Sequence, residues 1–199
     1  MSTGPLADVS RETLDRLHLY RDLLLKWSPK INLVAPATLE AAWDRHFLDS
    51  AQVAALAPAG HCSWADLGSG GGFPGLVVAI LRQDIEMTLI ESDQRKAAFL
   101  RTVARETECR VTIRAERAES VPPLGTDVVS ARALAPLTKL IPLAKQHLSP
   151  DGFAVFPKGA QWRSERDAAL ETWTFRCENI TSKTDPDAVI LKLSEIRRG

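Results

Sequence analysis

The sequence predicts an α/β fold: a mostly parallel sheet covered by helices on both faces, preceded by a helical extension. Three observations carry this. Beyond Gly60, short apolar runs alternate with longer helical stretches; a glycine-rich loop directly follows the first of those runs; and the residues ahead of Gly60 are patterned as helix. In residues 10–27, Leu14, Leu17, Tyr20 and Leu24 recur at steps of three and four with Arg11, Asp15 and Asp22 between them, which is helix spacing. Ser28-Pro29 is expected to stop that helix. Residues 31–36 are short and irregular, and residues 39–43 and 47–56 read as further helix before Pro58 and Gly60 break the pattern. Strands are then expected at 63–67, 87–90, 111–113, 128–130 and 153–156, with helices at 76–81, 95–106, 137–148 and 165–170. Residues 173–180 and 188–193, separated by polar residues 181–187, read as a closing pair of strands. With no linker rich in Gly or Ser, the reading is one compact unit: a helical extension over 1–60 packed on an α/β body over 61–199.

Composition narrows the class of function. With 199 residues, 45% hydrophobic and 25% charged, the chain has the balance of a globular protein rather than a disordered or fibrous one. Its 25 Lys plus Arg match 25 Asp plus Glu, so any nucleic-acid partner must be held by a local patch. Cys62, Cys109 and Cys177 form no metal-ligand pattern and no disulfide framework, so reduced thiols and no bound metal are expected. The N-terminal stretch has no basic segment followed by an apolar run, and no run is long enough to span a bilayer. A cytoplasmic protein, free of membrane and monomeric, is the expectation.

The chemistry concentrates in Asp66-Leu67-Gly68-Ser69-Gly70-Gly71-Gly72-Phe73-Pro74-Gly75, between an expected strand and an expected helix. Glycines let a ligand approach bare main chain, and the following helix offers free N–H groups. Gly70, Gly72 and Gly75 fit a dinucleotide fingerprint, but Pro74 and the acidic Asp66 do not belong to it. Asp66, Gly68, Gly70 and Gly72 instead match the D/E-x-G-x-G-x-G loop of S-adenosylmethionine-dependent methyltransferases. An acidic strand end suits a cofactor bearing a cationic amino group and a sulfonium. Glu91 ends the next strand and is placed to accept hydrogen bonds from a ribose diol, a device that dinucleotide enzymes share.

Several further segments carry a resemblance. Trp27-Ser28-Pro29-Lys30-Ile31-Asn32-Leu33, Arg45-His46-Phe47-Leu48-Asp49-Ser50, the glycine loop through Gly75, Glu91-Ser92-Asp93-Gln94-Arg95-Lys96, Ser130-Ala131-Arg132-Ala133 and Pro157-Lys158-Gly159 resemble, in order and spacing, the RsmG (GidB) family of bacterial methyltransferases of small-subunit ribosomal RNA. The likeness runs from about Leu14 to the last strand, departing at Ser28, where the family commonly has Asn. It implies a class I, Rossmann-like methyltransferase fold with a seven-stranded sheet. It also implies methylation by S-adenosyl-L-methionine of N7 of guanine-527 in a hairpin loop of 16S ribosomal RNA, with that RNA or the small ribosomal subunit as partner. Carried over, the family's cofactor contacts fall on Gly68, Phe73, Ala118, Glu119 and Arg132, beside Asp66, Gly70 and Glu91 from the loop reading.

Guanine N7 has a lone pair and no proton, so transfer needs alignment rather than a general base, and no residue is assigned as a base. Arg132 is expected to orient the cofactor or a phosphate, and His46 to pack or to meet RNA. Lys30, Arg45, Arg95, Lys96, Arg132 and Lys158 are the candidates for RNA phosphates, while Trp43, Trp64 and Trp162 are expected in the core rather than stacked on bases. Two other readings stay open from the residues alone: a methyltransferase of a small molecule or protein, and a nucleotide- or RNA-binding protein without turnover. Cofactor turnover separates the last, and salt-sensitive RNA binding separates the first two.

Overall fold

The computed structural model describes residues 5–199; residues 1–4 of the expected extension lie outside them. The first helix, α1 (Arg11–Ile31), is capped by Ser10, whose Oγ accepts the Thr13 N–H. It passes through Pro29 and ends at Asn32 in the left-handed region (φ 48°), whose N–H returns to Ser28 O. The expected stop at Ser28-Pro29 is therefore corrected. A proline in the last turn removes only one intrahelical bond, and continuing the helix lets Trp27 and Ile31 pack against the core. Residues 40–41 are turn rather than helix, followed by a π-helical segment (Trp43–Leu48) running into α2 (Asp49–Ala54).

The body then alternates β1 (Cys62–Leu67), α3 (Gly75–Leu81), β2 (Ile85–Ile90), α4 (Gln94–Glu106), β3 (Val111–Arg114), β4 (Thr126–Ser130), α5 (Leu137–His147), β5 (Leu148–Lys158), α6 (Trp162–Leu170), β6 (Trp173–Thr181) and β7 (Val189–Arg198), with a 3-10 turn at Ala118–Ser120. The seven strands lie in the order β3-β2-β1-β4-β5-β7-β6. β1 through β5 pair in parallel; β7 pairs antiparallel to β5 and to β6, so the closing hairpin makes the sheet mixed. β1 and β4 are buried on both faces through Ala65, Asp66, Val128, Val129 and Ser130, as expected for central strands under two helical layers.

One face of the sheet is covered by α3 and α4, with α1 laid over them. Tyr20, Leu17 and Leu24 of α1 join Leu76, Phe99 and Leu100 in one buried cluster. Inside it Tyr20 lies 5.3 Å from Phe73 with stacked rings and 4.8 Å from Phe47 edge-on. The tyrosine hydroxyl donates to Gly71 O, so the N-terminal helix is fastened to the glycine loop itself. The other face, under α5 and α6, packs Leu137, Leu140, Ile141, Phe156 and Trp162 into a second cluster. The tryptophans behave as packing residues: Trp64 is fully buried, Trp43 stacks on His18 and Phe47, and Trp162 is 6% exposed beneath Arg163. Cys62, Cys109 and Cys177 are free thiols. No helix among the described residues is long and apolar enough to cross a membrane.

Candidate active site

The carboxyl ends of β1, β2 and β4 lie level, because Asp66 pairs with Leu89 on one side and with Ser130 on the other. The turns leaving those ends therefore meet. After β1 the backbone turns through Gly68 (φ 62°), Gly70 (φ 56°) and Gly72 (φ 94°), conformations that side chains resist. Ser69 closes the turn, its O accepting the Gly72 and Phe73 N–H groups and its Oγ donating to Asp66 O.

Asp66 braces this turn from beneath. Its side chain is fully buried; Oδ1 accepts the Ser130 hydroxyl at 2.6 Å and Oδ2 the Gly75 N–H at 3.3 Å, while Ser130 Oγ accepts the Trp64 indole N–H at 2.9 Å. The acidic strand end thus faces inward, holding the start of α3, and does not line the cleft as a counter-charge. Burial raises its pKa from 3.8 to about 6, against the opposing hydrogen bonds from Ser130 and Gly75. A raised carboxyl pKa gives stability that is full below 3.8 and lost as pH rises through about 6. Asp66→Asn is thus expected to gain on the wild type between pH 4 and 7.5, by on the order of 3 kcal/mol. Urea unfolding at the two pH values checks this, and parallel profiles would refute it. His46 runs oppositely: burial, then Arg132 and Arg45, lower its pKa from 6.5 to about 4. Its share is full above 6.5 and lost as pH falls toward 4, so the two slopes offset one another in the wild type.

Above the turn is a cleft of about 300 Å³ lined by Gly68, Gly70, Phe73, Glu91, Lys96 and Arg132, among others. Glu91 Oε2 accepts the Gly70 N–H at 2.8 Å and Oε1 the Asp93 N–H at 2.7 Å. Each oxygen has a second lone pair, so the carboxylate both pins the loop and keeps acceptor capacity for a diol. Bare main chain, a pinned carboxylate and the apolar Leu134 beside Gly68 form a cradle that suits an adenosine-bearing cofactor. Ala118 and Glu119 do not line it: Ala118 is buried with its carbonyl on His147, and Glu119 faces Arg117.

A second cleft, of about 580 Å³, adjoins the first at residues 132–134 and is lined by Thr38, Arg45, His46, Asp49, Glu165 and Asp185, among others. Arg132, Ala133 and Leu134 line both clefts and so form their common wall. Arg132 is held from several sides: its guanidinium lies 4.9 Å over the Phe73 ring, donates to Arg45 O at 3.3 Å and to Asp49 Oδ2 at 3.4 Å, and sits 3.1 Å from His46 Nδ1. Burial lowers its pKa and Asp49 opposes that.

The basic candidates divide. Lys96 borders the glycine cleft, Arg45 borders the larger one in an ion pair with Asp185, and Arg95 is 70% exposed beside Asp93. Lys30 is exposed on the last turn of α1, away from both linings. Lys158 is not available as a phosphate contact: its side chain is 8% exposed, and Nζ donates to Ala135 O and to Glu165, both at 2.8 Å. Glu165 also accepts the Leu137 N–H, so the pair joins β5, α6 and the start of α5. Sequence reasoning overlooked Leu134, Thr38 and Tyr20 as parts of this region. Only Tyr20 left a signal, an apolar stripe position that pointed to the core and not to the loop.

This strand order, with a glycine turn after β1 and an acidic residue after β2, defines a class I methyltransferase fold. Solved structures agree: the ribosomal protein L11 methylase of Lactobacillus delbrueckii subsp. bulgaricus superposes with a TM-score of 0.61 at 16% identity, over 75% of this chain and 78% of its own. TYW2 of M. jannaschii, in complex with AdoMet, gives 0.58 at 12% identity, over 86% and 80%. The chain belongs to the family described as GidB, rRNA small subunit methyltransferase G, whose model matches residues 13–188. Proteins named ribosomal RNA small subunit methyltransferase G from Ruegeria sp. (strain TM1040) and Rhodospirillum centenum are 52% and 56% identical to it. The alignments cover 96% and 94% of this chain and 95% and 87% of theirs.

Proposed function

We propose that this protein transfers the methyl group of S-adenosyl-L-methionine to N7 of guanine-527 in 16S ribosomal RNA. The observation that supports the reading is that residues 132–134 border both a cofactor-sized cleft and a larger second cleft. Membership of the family and the names of its relatives supply ribosomal RNA as the acceptor.

In this reading Gly68, Gly70, Phe73, Glu91 and Arg132 hold the cofactor, which supplies an electrophilic methyl on a sulfonium. The residues need take no proton, since N7 attacks through a free lone pair; their work is to keep donor and acceptor aligned, an effect worth up to about 7–11 kcal/mol. Arg45, Arg95 and Lys96 approach RNA phosphates from the rim, with Lys30 farther out.

The test is transfer of labelled methyl to small-subunit RNA from a strain lacking this gene, supplied naked and as particles, with nuclease mapping of the label. A single 7-methylguanine is the expected product. No label in either form, with cofactor binding intact, would discard the RNA and leave a small-molecule or protein acceptor. Glu91→Ala removes both loop anchors and the diol acceptor, and is expected to weaken cofactor binding by about 1–3 kcal/mol; unchanged affinity in calorimetry would displace Glu91 from the site.

A further inference from the structure

We propose that His46 is a positioning residue for methyl transfer: its unprotonated Nδ1, kept so by Thr38, aims the Arg132 guanidinium along the wall between the two clefts. The inference rests on the reading of the glycine cleft as the methyl-donor site.

The protons along this path are fixed by chemistry. A guanidinium only donates, so across the 3.1 Å contact His46 Nδ1 must accept from Arg132. In a neutral imidazole the proton then resides on Nε2, which lies 2.8 Å from Thr38 Oγ1. That hydroxyl can accept because its own proton goes to Ala35 O at 2.7 Å. With Arg132 donating, the chain Arg132 to His46 to Thr38 to Ala35 thus runs in one direction. Protonation of His46 would set two donors against each other at Nδ1, and its burial next to Arg132 and Arg45 disfavours that charge.

The local backbone makes the arrangement possible. Arg45 O, His46 Nδ1 and Asp49 Oδ2, three acceptors for one guanidinium, all come from the π-helical segment Trp43–Leu48 and the residue that follows it. A π-helical turn is wider than an α-turn and recurs at functional sites. The imidazole also lies 5.2 Å from the Phe73 ring, over which the same arginine sits. His46 therefore touches the loop and the wall together without entering as a base.

Two variants separate aiming from packing, since both remove the ring. In His46→Asn the amide oxygen falls near the place of Nδ1 and keeps the acceptor for Arg132. In His46→Gln the longer amide falls near Nε2 and keeps Thr38 instead. We expect His46→Asn to stay within about threefold of the wild type in kcat/KM, and His46→Gln to lose about tenfold or more, the loss falling on the KM of S-adenosyl-L-methionine. Equal loss in both, or none in either, would overturn the proposal. Imidazole nitrogen chemical shifts of the unliganded wild type at neutral pH give an independent answer. A protonated Nε2 with a bare Nδ1 is expected, and a protonated Nδ1 would overturn the proposal even if neither variant folds. A wild type that binds no S-adenosyl-L-methionine would sink the donor-site reading and the proposal with it; failure confined to the Asn and Gln contrast would sink the proposal alone.

Discussion

Replacing Gly70 by valine is expected to abolish binding of S-adenosyl-L-methionine while leaving the protein folded. Gly70 has φ 56°, and a Cβ there would find nothing nearer than Gly68 O at 3.8 Å. The added Cβ clashes with no protein atom, and the cleft that Gly70 lines is where the bulk of a valine would intrude. Left-handed backbone costs a non-glycine residue about 1–2 kcal/mol, a fall in Tm of roughly 2–8 °C for a chain of this size. Calorimetric titration paired with a thermal melt reads both effects. Binding within about threefold of the wild type would mean that the cofactor does not use this turn.

Gly72→Val is expected to fail differently, by unfolding. At φ 94° its Cβ would strike the Tyr20 hydroxyl, would stand 2.7 Å from Leu76 Cδ1 and 3.2 Å from Leu100 Cδ2, and has no cleft to enter. Overpacking of a buried site adds about 1–3 kcal/mol and backbone strain about as much again. A loss of about 4 kcal/mol, or roughly 8–16 °C in Tm, follows. A melt within about 2 °C of the wild type would show that the loop and α1 are not packed as described. Two glycines two residues apart thus report separately on site and scaffold.

Much of this was legible in the sequence. Alternation of short apolar runs with helical stretches located the strands of the body because a parallel sheet covered on both faces is mostly apolar along its central strands. The glycine turn and Glu91 were legible because the chemistry of close approach restricts residue type. What stayed hidden depended on direction or on distant partners. Asp66 was visible as an acid, but that its carboxylate turns inward to Ser130 follows only from the register of β1 with β4. Lys158 read as a free cation because nothing in one dimension shows that Glu165 of α6 reaches back to it. The π-helical segment has no periodic signature of its own over six residues, and Pro29 misled because a helix tolerates proline where few bonds remain to be lost.

The common wall has a thermodynamic consequence. Residues 132–134 bound both clefts, and Leu134, 41% exposed, leans on Gly68 from the partition. A compound that displaces this leucine from one side changes the shape of the other, and such linkage is reciprocal. An inhibitor seated wholly in the larger cleft would then show mixed rather than competitive behaviour toward the methyl donor, and one molecule spanning the partition would bind with an affinity that its two halves do not predict by addition.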